Sequence, residues 1–366
     1  MNPYNYISPV QDRQIFVGRT NIISKIYSRI GAMRPQSISL VGDRKIGKSS
    51  LIWYLSQSET KKQYLNNPDE YIYFYIPVIE KNLSFRNFAI SLCKVITAKI
   101  QNYIDLEDKT PSYDLFKKMI EKVTERQKKI IFFFDDFHLA TQNESFPLEF
   151  FSFLRSLANN YNLAYVTTSY LDLQKLCVSK EVEESPFFNI FTNLSLKPLE
   201  KSEALRLIDE PSKEQSINLD EEKDRILQIA GFFPYTLQLA CAILFDMKKK
   251  HQYMTDENYR EFEDAFYKKT HNYFETLWSS FDEEQKFVFK NILSLKKIQN
   301  PQMFILNDLT QRHYLLVNGR KTQFNLFLFQ RFVSEKLGIN WRESRKKYSF
   351  LESLKNWFHR LKLLKL

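Results

Sequence analysis

The 366-residue chain has a hydrophobic fraction of 43%, a charged fraction of 26% and a formal net charge of +10. These values are typical of a globular protein with a buried core, and the length predicts two or three structural units. The apolar runs are too short to cross a bilayer and the N-terminus shows no signal-peptide pattern, so we expect a cytoplasmic protein and not an integral membrane protein. The three widely spaced cysteines are expected to be reduced thiols.

Strand-like apolar runs alternate with helical patterns over the first 200 residues. The strands are predicted at residues 37–41, 71–78, 129–137, 163–169 and 193–199, and the helices at 49–57, 84–104, 112–127 and 147–160. Alternation of this kind, with strands that are apolar on both faces, predicts an α/β fold in which a parallel sheet is covered by helices.

The strand signal stops after residue 199. Helices are predicted at residues 201–209, 221–230, 234–249 and 255–278, which would form an all-α subdomain. Two more helices at 283–295 and 301–312, a hairpin turning at Asn318-Gly319 and a last helix at 327–337 then predict a winged-helix-like unit. We therefore divide the chain into domains at residues 1–200, 201–280, 281–340 and 341–366.

The segment GDRKIGKS, from Gly42 to Ser49, lies between the first predicted strand and the first predicted helix. It matches the G-x-x-x-x-G-K-[ST] pattern of a phosphate-binding loop (P-loop). Its glycines let backbone N–H groups point at phosphate oxygens, while Lys48 would reach the β- and γ-phosphates and Ser49 would ligate Mg²⁺. We expect the nucleotide to contact the loop and the residue after it: Gly42, Asp43, Arg44, Lys45, Ile46, Gly47, Lys48, Ser49 and Ser50.

Two further strands end in polar residues. The predicted strand at 129–137 places Asp135 and Asp136 after five apolar residues, and such carboxylates face the crevice where α/β sheets bind ligands. Asp135 is expected to bind Mg²⁺, and Asp136 to orient or deprotonate the attacking water, so that Asp136, Asp135 and Lys48 form the catalytic set. Thr168, near the end of the next strand, is placed to sense the γ-phosphate or to position water. His138 is expected to cap or pack.

These motifs occur in a recognisable order. FVGR (16–19), the P-loop, FFFDD (132–136), VTTS (166–169), LKPLEKSEA (196–204) and GFFPYTLQLACAIL (231–244) are arranged as in STAND-type ATPases. The chain resembles these AAA+-related proteins, which include origin-recognition-like and NB-ARC ATPases. The resemblance implies a P-loop domain, a helical lid and a winged helix that close over ATP or ADP with Mg²⁺. It places Phe16, Val17 and Arg19 near the adenine and ribose, and Pro234 against the adenine.

The sequence departs from the family pattern at several points. Thr20 replaces the usual acidic residue, Ser169 stands where NB-ARC proteins often have arginine, and Gly231-Phe232-Phe233-Pro234 replaces Gly-Gly-His-Pro. Nucleotide binding is therefore expected more firmly than hydrolysis, which should be slow. The resemblance implies a molecular switch that controls self-assembly or a protein partner, as in relatives that act in bacterial defence. The alternative is a DNA-binding, initiator-like or transposition-type AAA+ ATPase that acts through its winged helix.

The C-terminal segment is basic and amphipathic. Residues 342–366 hold eight Lys or Arg and two Glu, with Phe350, Leu354, Trp357 and Leu361 on one helical face. Such a helix packs on its own domain, docks into a protein partner or lies on an anionic membrane surface, which would make the protein peripheral to the membrane. For DNA, Arg320 and Lys321 at the predicted wing would contact phosphates, but the predicted recognition-helix region before the wing is poor in Lys and Arg.

Overall fold

A computed structural model describes residues 2–77, 84–100, 112–213, 215–251, 253–294, 296, 298–318 and 321–340. Within these residues the chain forms two compact units, one of residues 5–206 and the other of residues 207–340 together with residues 2–4. The predicted tail at 342–366, Gly319 of the predicted turn and Arg320 of the predicted wing lie outside the described residues. The predicted domain boundaries stay predictions.

The described part of the first unit is an α/β domain with a five-stranded sheet. In chain order its elements are α1 (Thr20–Ile30), β1 (Ser37–Val41), α2 (Lys48–Ser56), α3 (Ser58–Tyr64), β2 (Tyr71–Ile76), α4 (Phe85–Ile100), α5 (Tyr113–Glu125), β3 (Lys129–Phe134), α6 (His138–Thr141), α7 (Leu148–Asn160), β4 (Leu163–Ser169), α8 (Lys180–Glu183), β5 (Phe191–Ser195) and the start of α9 (Lys201–Lys213). The sheet order is β2-β3-β4-β1-β5, and all four neighbouring pairs are parallel. The predicted fold class is confirmed.

The sheet forms because its central strands are apolar on both faces. On one face, aromatic side chains of β2, β3 and β4 pack together: the Phe74 and Phe132 rings stack at 5.0 Å, and Phe132 lies 5.9 Å from the Tyr165 ring. Helices α4, α5 and α7 cover this face with further buried aromatic residues, among them Phe116 and Phe151. Burial of these large rings stabilises the sheet and fixes the positions of the strand ends, where polar residues follow.

The second unit consists mainly of helices. After α9 come α10 (Lys223–Ala230), α11 (Pro234–Lys250), α12 (Asp256–Ser280), α13 (Glu283–Leu293), α14 (Met303–Gln311), β6 (Leu315–Asn318), β7 (Lys321–Phe324) and α15 (Phe327–Lys336). Strands β6 and β7 pair antiparallel, with Leu315 opposite Phe324. This order of two helices, a hairpin and a helix agrees with the predicted elements, while the winged-helix assignment stays a prediction. Among the described residues, no helix has the length and apolar character needed to span a bilayer.

Candidate nucleotide-binding site

The P-loop joins β1 to α2 at the carboxyl edge of the sheet. The strand order sets its surroundings, because β4 lies on one side of β1 and β5 on the other. The Gly42 N–H donates to the Ser169 carbonyl at the end of β4 (3.2 Å), and the Leu196 N–H, just after β5, donates to the Val41 carbonyl (2.7 Å). The first turn of α2 begins at the loop, where the Leu51 N–H donates to the Gly47 carbonyl (3.0 Å). The loop is therefore held from both sides, and its end forms the start of a helix, as an anion-binding loop requires.

Both loop glycines occupy positions that other residues fit poorly. A Cβ on Gly42 would lie 2.8 Å from the Leu196 carbonyl oxygen, closer than real Cβ contacts. Gly47 has a φ of 96°, in the left-handed region, where residues with a Cβ are strained. The two glycines thus satisfy the steric demands of the turn that the sequence pattern predicted.

Lys48 lies inside the loop that contains it. Its side chain is buried, and its Nζ donates to the carbonyls of Gly42 (2.8 Å) and Asp43 (3.0 Å). Burial lowers the Lys48 pKa, whereas the nearby carboxylates of Asp136, Asp43 and Asp135 act to raise it. A phosphate group in the loop would offer this ammonium stronger, charged acceptors than the two carbonyls.

Asp135 and Asp136 follow β3, and Thr168 of β4 joins them. The Thr168 hydroxyl donates to the Asp135 carboxylate (Oγ1–Oδ1 2.7 Å) and accepts the Asp136 backbone N–H (2.6 Å). The Ser49 side chain is also close enough to the Asp135 carboxylate to act to lower its pKa. Burial raises the pKa of both carboxyl groups, and the Lys48 charge acts to lower both. The structure thus brings together Lys48, Ser49, the acid pair and Thr168, whose individual roles stay predictions.

Asp136 has an unusual backbone conformation and an unexpected neighbour. Its φ is 47°, and its side chain is 45% exposed while that of Asp135 is nearly buried. His138 Nδ1 lies 3.9 Å from the Asp136 carboxylate and, although buried, has no hydrogen-bond partner. Burial lowers the His138 pKa to about 4, so the ring is neutral at pH 7. Non-glycine residues in this backbone region occur often at functional sites.

A layer of side chains continues from His138 to the loop. The Tyr170 ring meets the His138 ring edge-on at 4.8 Å, and the Arg44 guanidinium lies 5.3 Å from the Tyr170 ring centre. Arg44 is thereby held at the side of the loop that faces Asp136, whose pKa it helps to lower. Tyr170 could not be predicted as a site residue from the sequence, because a single tyrosine after a strand belongs to no recognisable motif.

The predicted adenine-side residues lie on the N-terminal segment before α1. The Phe16 ring stacks on Tyr54 of α2 at 4.3 Å, which places Phe16 and the adjacent Val17 beside the helix that follows the loop. Arg19 is buried, and its guanidinium donates to backbone carbonyls, including that of Ile46 in the loop (2.8 Å). Its contact with a nucleotide stays a prediction.

Two further predicted residues have other neighbours. The Ser50 hydroxyl accepts the Val10 N–H (2.9 Å), so it ties the N-terminal segment to α2. Pro234 is the first residue of α11 in the second unit, a position that suits proline because a first-turn N–H has no helical acceptor. Its place against the adenine therefore stays a prediction.

The oxygen donors present fit a magnesium ion. Asp135 is a nearly buried carboxylate whose pKa the nearby Ser49 side chain acts to lower, and Mg²⁺ prefers carboxylate, hydroxyl and water oxygens. Among the described residues, no group of three or more His, Cys, Asp or Glu side chains is arranged to hold a metal. The protein donors alone would be few, so phosphate oxygens and water would complete the coordination, as is usual for this ion.

Solved structures with this fold include nucleotide-binding proteins of archaea. The Walker-type ATPase PABY2304 of Pyrococcus abyssi aligns with a TM-score of 0.61 and 13% identity over 89% of this chain and 98% of that one. The ADP form of the ORC2 protein of Aeropyrum pernix aligns with a TM-score of 0.56 and 10% identity over 92% and 98% of the two chains. At sequence identities this low, the structural similarity shows that the proteins share a fold.

The sequence itself identifies the family. No curated protein sequence matches the chain significantly. The model of the family described as Novel STAND NTPase 2 matches residues 32–294, well over half of the chain, and this range includes the P-loop and the acid pair. The chain therefore belongs to the Novel STAND NTPase 2 family.

Proposed function

We propose that this protein binds ATP and ADP with Mg²⁺, hydrolyses ATP slowly and acts as a nucleotide-controlled switch. One observation carries the proposal: the lysine of the P-loop, its serine and two carboxylates converge at the ends of β1, β4 and β3. Thr168 of the middle strand, β4, hydrogen-bonds the Asp135 carboxylate and the Asp136 backbone N–H, which supports a site shared by the acid pair and the loop. Family membership supports the same conclusion.

Each residue of this cluster has a distinct task in the proposed site. The loop amides and Lys48 bind the β- and γ-phosphates, and Ser49 and Asp135 hold Mg²⁺. The bound ion would neutralise the charge that develops on the phosphate oxygens. Asp136, which is more exposed than Asp135, orients the attacking water through its carboxylate. Burial raises the pKa of Asp135. A bound cation would have the opposite effect, because a nearby positive charge favours the ionised carboxylate that serves as its ligand.

A switch requires more than binding. ATP and ADP must have different relative affinities for two conformations, or for the free and the assembled protein. We infer that the ATP-bound form assembles with itself or engages a protein partner, in a process such as bacterial defence. Slow hydrolysis then sets how long that form lasts.

The Lys48→Ala variant tests the nucleotide site. It should weaken the binding of ATP and ADP by about 100-fold, which corresponds to the loss of one strong charge-assisted hydrogen bond. Isothermal titration calorimetry measures the affinity, and circular dichroism of the nucleotide-free protein shows whether the variant is folded. A folded variant that still binds ATP as tightly as the wild type would contradict the proposal.

The matched control is Lys61→Ala. Lys61 Nζ also donates to a backbone carbonyl, that of Tyr71 (2.9 Å), but Tyr71 begins β2 at the opposite edge of the sheet. Its removal should therefore leave nucleotide affinity unchanged. A structural nucleotide without a switching role would show a different pattern: Lys48→Ala would lower the melting temperature of the protein as purified more than Lys61→Ala.

A further inference from the structure

Arg19 is placed to act on the P-loop through its backbone. The side chain is 8% exposed, and its guanidinium donates to three carbonyls: Ile46 (2.8 Å), Lys197 and Pro198 (3.5 Å). Ile46 belongs to the P-loop, whereas Lys197 and Pro198 lie after β5. The guanidinium therefore bridges the loop and the chain segment beside it.

Glu203, in the first turn of α9, holds Arg19 in turn. The Arg19 backbone N–H donates to Glu203 Oε1 (2.5 Å), and the other carboxylate oxygen accepts the Glu200 N–H (3.0 Å). Burial lowers the Arg19 pKa to about 10, while the Glu203 charge acts to raise it, so the guanidinium stays charged at neutral pH. Burying an arginine is costly unless its charge is compensated. The number of specific contacts that Arg19 makes therefore indicates that its side chain is needed at this position. Arg19 also adopts a φ of 68°, which is rare for a residue with a long side chain.

The contact with Ile46 determines the direction of the next amide. In a trans peptide the carbonyl and the following N–H lie in one plane and point in opposite directions. When Arg19 holds the Ile46 carbonyl, the Gly47 N–H must point away from the guanidinium. Gly47 is the residue before Lys48 and caps α2, and N–H groups at such a position bind phosphate oxygens.

We propose that Arg19 is a positioning residue that orients the Ile46–Gly47 peptide so that the Gly47 N–H faces the phosphates of the bound nucleotide, with Glu203 holding Arg19 in place. The inference rests on the proposed nucleotide-binding function. Arg19 then acts through the loop, and its effect depends on phosphate groups and not on the base.

The small number of glycines makes this testable by NMR. The chain contains 7 glycines, so a deuterated protein labelled with ¹⁵N-glycine gives one amide signal for each. Labelling isoleucine with ¹³C at the carbonyl selects the glycines that follow an isoleucine, which are Gly31 and Gly47. In the wild type, ADP with Mg²⁺ should move the Gly47 signal downfield and leave Gly31 in place.

Arg19→Gln should alter the Gly47 signal already without nucleotide, and should reduce its movement on adding ADP. Affinity for ADP should fall about tenfold, the effect of one misdirected hydrogen bond, while the weak affinity for adenosine stays unchanged. Arg19→Lys, which can reach one carbonyl, should restore part of the affinity. Equal loss for adenosine and ADP would overturn the proposal in favour of contact with the base, as would a Gly47 signal identical to the wild type in both states.

Two more variants serve as a control and as a substitute for Arg19→Gln. Arg34→Gln is the matched control, since Arg34 also donates to backbone carbonyls, those of Ala158 and Asn159, away from the loop. It should leave the Gly47 signal and ADP affinity unchanged. If Arg19→Gln does not fold, Glu203→Gln should move the Gly47 signal of the nucleotide-free protein away from its wild-type position, and no shift would overturn the proposal. If wild-type protein binds no nucleotide, the proposed function fails, but the nucleotide-free comparison still tests the role of Arg19.

Discussion

Thr168 connects the Asp135 carboxylate to the backbone of Asp136. Its hydroxyl donates to Asp135 and accepts from the Asp136 N–H, and the side chain is fully buried. A hydroxyl that both donates and accepts cannot be replaced by an apolar group without leaving two polar partners unsatisfied. Valine has the same shape, so the exchange isolates the hydroxyl.

We predict that Thr168→Val lowers the free energy of unfolding by about 1–3 kcal/mol and slows ATP hydrolysis. Thr167→Val is the control: Thr167 is equally buried in the same strand, but its hydroxyl makes only a long contact to the Ile38 carbonyl (3.5 Å). Urea unfolding and phosphate release measure the two effects. If both variants hydrolyse ATP at the wild-type rate, the assigned role of Thr168 is wrong.

His138 should make stability depend on pH. Burial lowers its folded-state pKa to about 4 from the ordinary 6.5. Between these values the unfolded chain binds the proton more readily, so the contribution of His138 is fully present above pH 6.5 and is lost as the pH falls towards 4.

Between pH 7 and 5 the wild type should therefore lose about 1–2 kcal/mol more stability than His138→Gln. The comparison removes the opposing contribution of Asp135 and Asp136, whose pKa values burial raises. Urea unfolding of the nucleotide-free proteins at the two pH values measures the difference. If the stability of the two proteins depended on pH in the same way, the pKa of His138 would not be lowered in the folded protein.

The spaced motif of the loop could be predicted from the sequence, whereas the backbone contacts that Arg19 and Thr168 make could not, although both residues were predicted to belong to the site. The glycines, Lys48 and Ser49 could be predicted because a phosphate loop demands those types at fixed intervals. The contact of Arg19 with the Ile46 carbonyl could not, since it depends on where the N-terminal segment passes the loop. Glu203 belongs to the LKPLEKSEA segment (196–204), but nothing in its spacing indicates that it binds the Arg19 backbone.

The surface of helix α14 bears on the DNA-binding alternative. It stands immediately before the β6–β7 hairpin, the position of a recognition helix in a winged helix. Its exposed side chains are Met303, Phe304, Asn307 and Gln311, and the helix contains neither Lys nor Arg. A surface of this kind lacks the charge that dominates DNA affinity.

We therefore predict that α14 does not read duplex DNA. Any binding at low salt, including binding through the basic tail, should be unchanged in Asn307→Ala and Gln311→Ala. Fluorescence anisotropy with a labelled duplex over a range of salt concentrations measures this. A tenfold loss in either variant would contradict the prediction and favour the initiator-like alternative.

The elements themselves were predictable to different degrees. The five strands were found close to their predicted positions because each is an apolar run that must be buried. Helix α1 was missed, although Ile23, Ile26, Tyr27 and Ile30 form a buried face at helical spacing. The order β2-β3-β4-β1-β5 could not be predicted from residue patterns, because several right-handed crossovers would bury the same strands. That order places Thr168 between the acids and the loop.

At the scale of the whole molecule, a P-loop unit is followed in the chain by a helical unit. The residues that match the family model include parts of both units. A nucleotide site in one unit becomes a switch only if the identity of the nucleotide changes the conformation or the assembly of the whole chain. That is the central claim of the proposed function, and it concerns a difference between ATP and ADP that binding measurements alone do not reveal.

Small-angle X-ray scattering with in-line size exclusion tests this claim most directly, because it gives mass and radius of gyration together. The protein is measured with Mg²⁺ and saturating ADP, and again with Mg²⁺ and a non-hydrolysable ATP analogue, with Lys48→Ala as the control. We predict a larger mass or a different radius with the ATP analogue than with ADP, and no difference in the control. Identical mass and radius in both nucleotides, with calorimetry showing that both are bound, would contradict the switch.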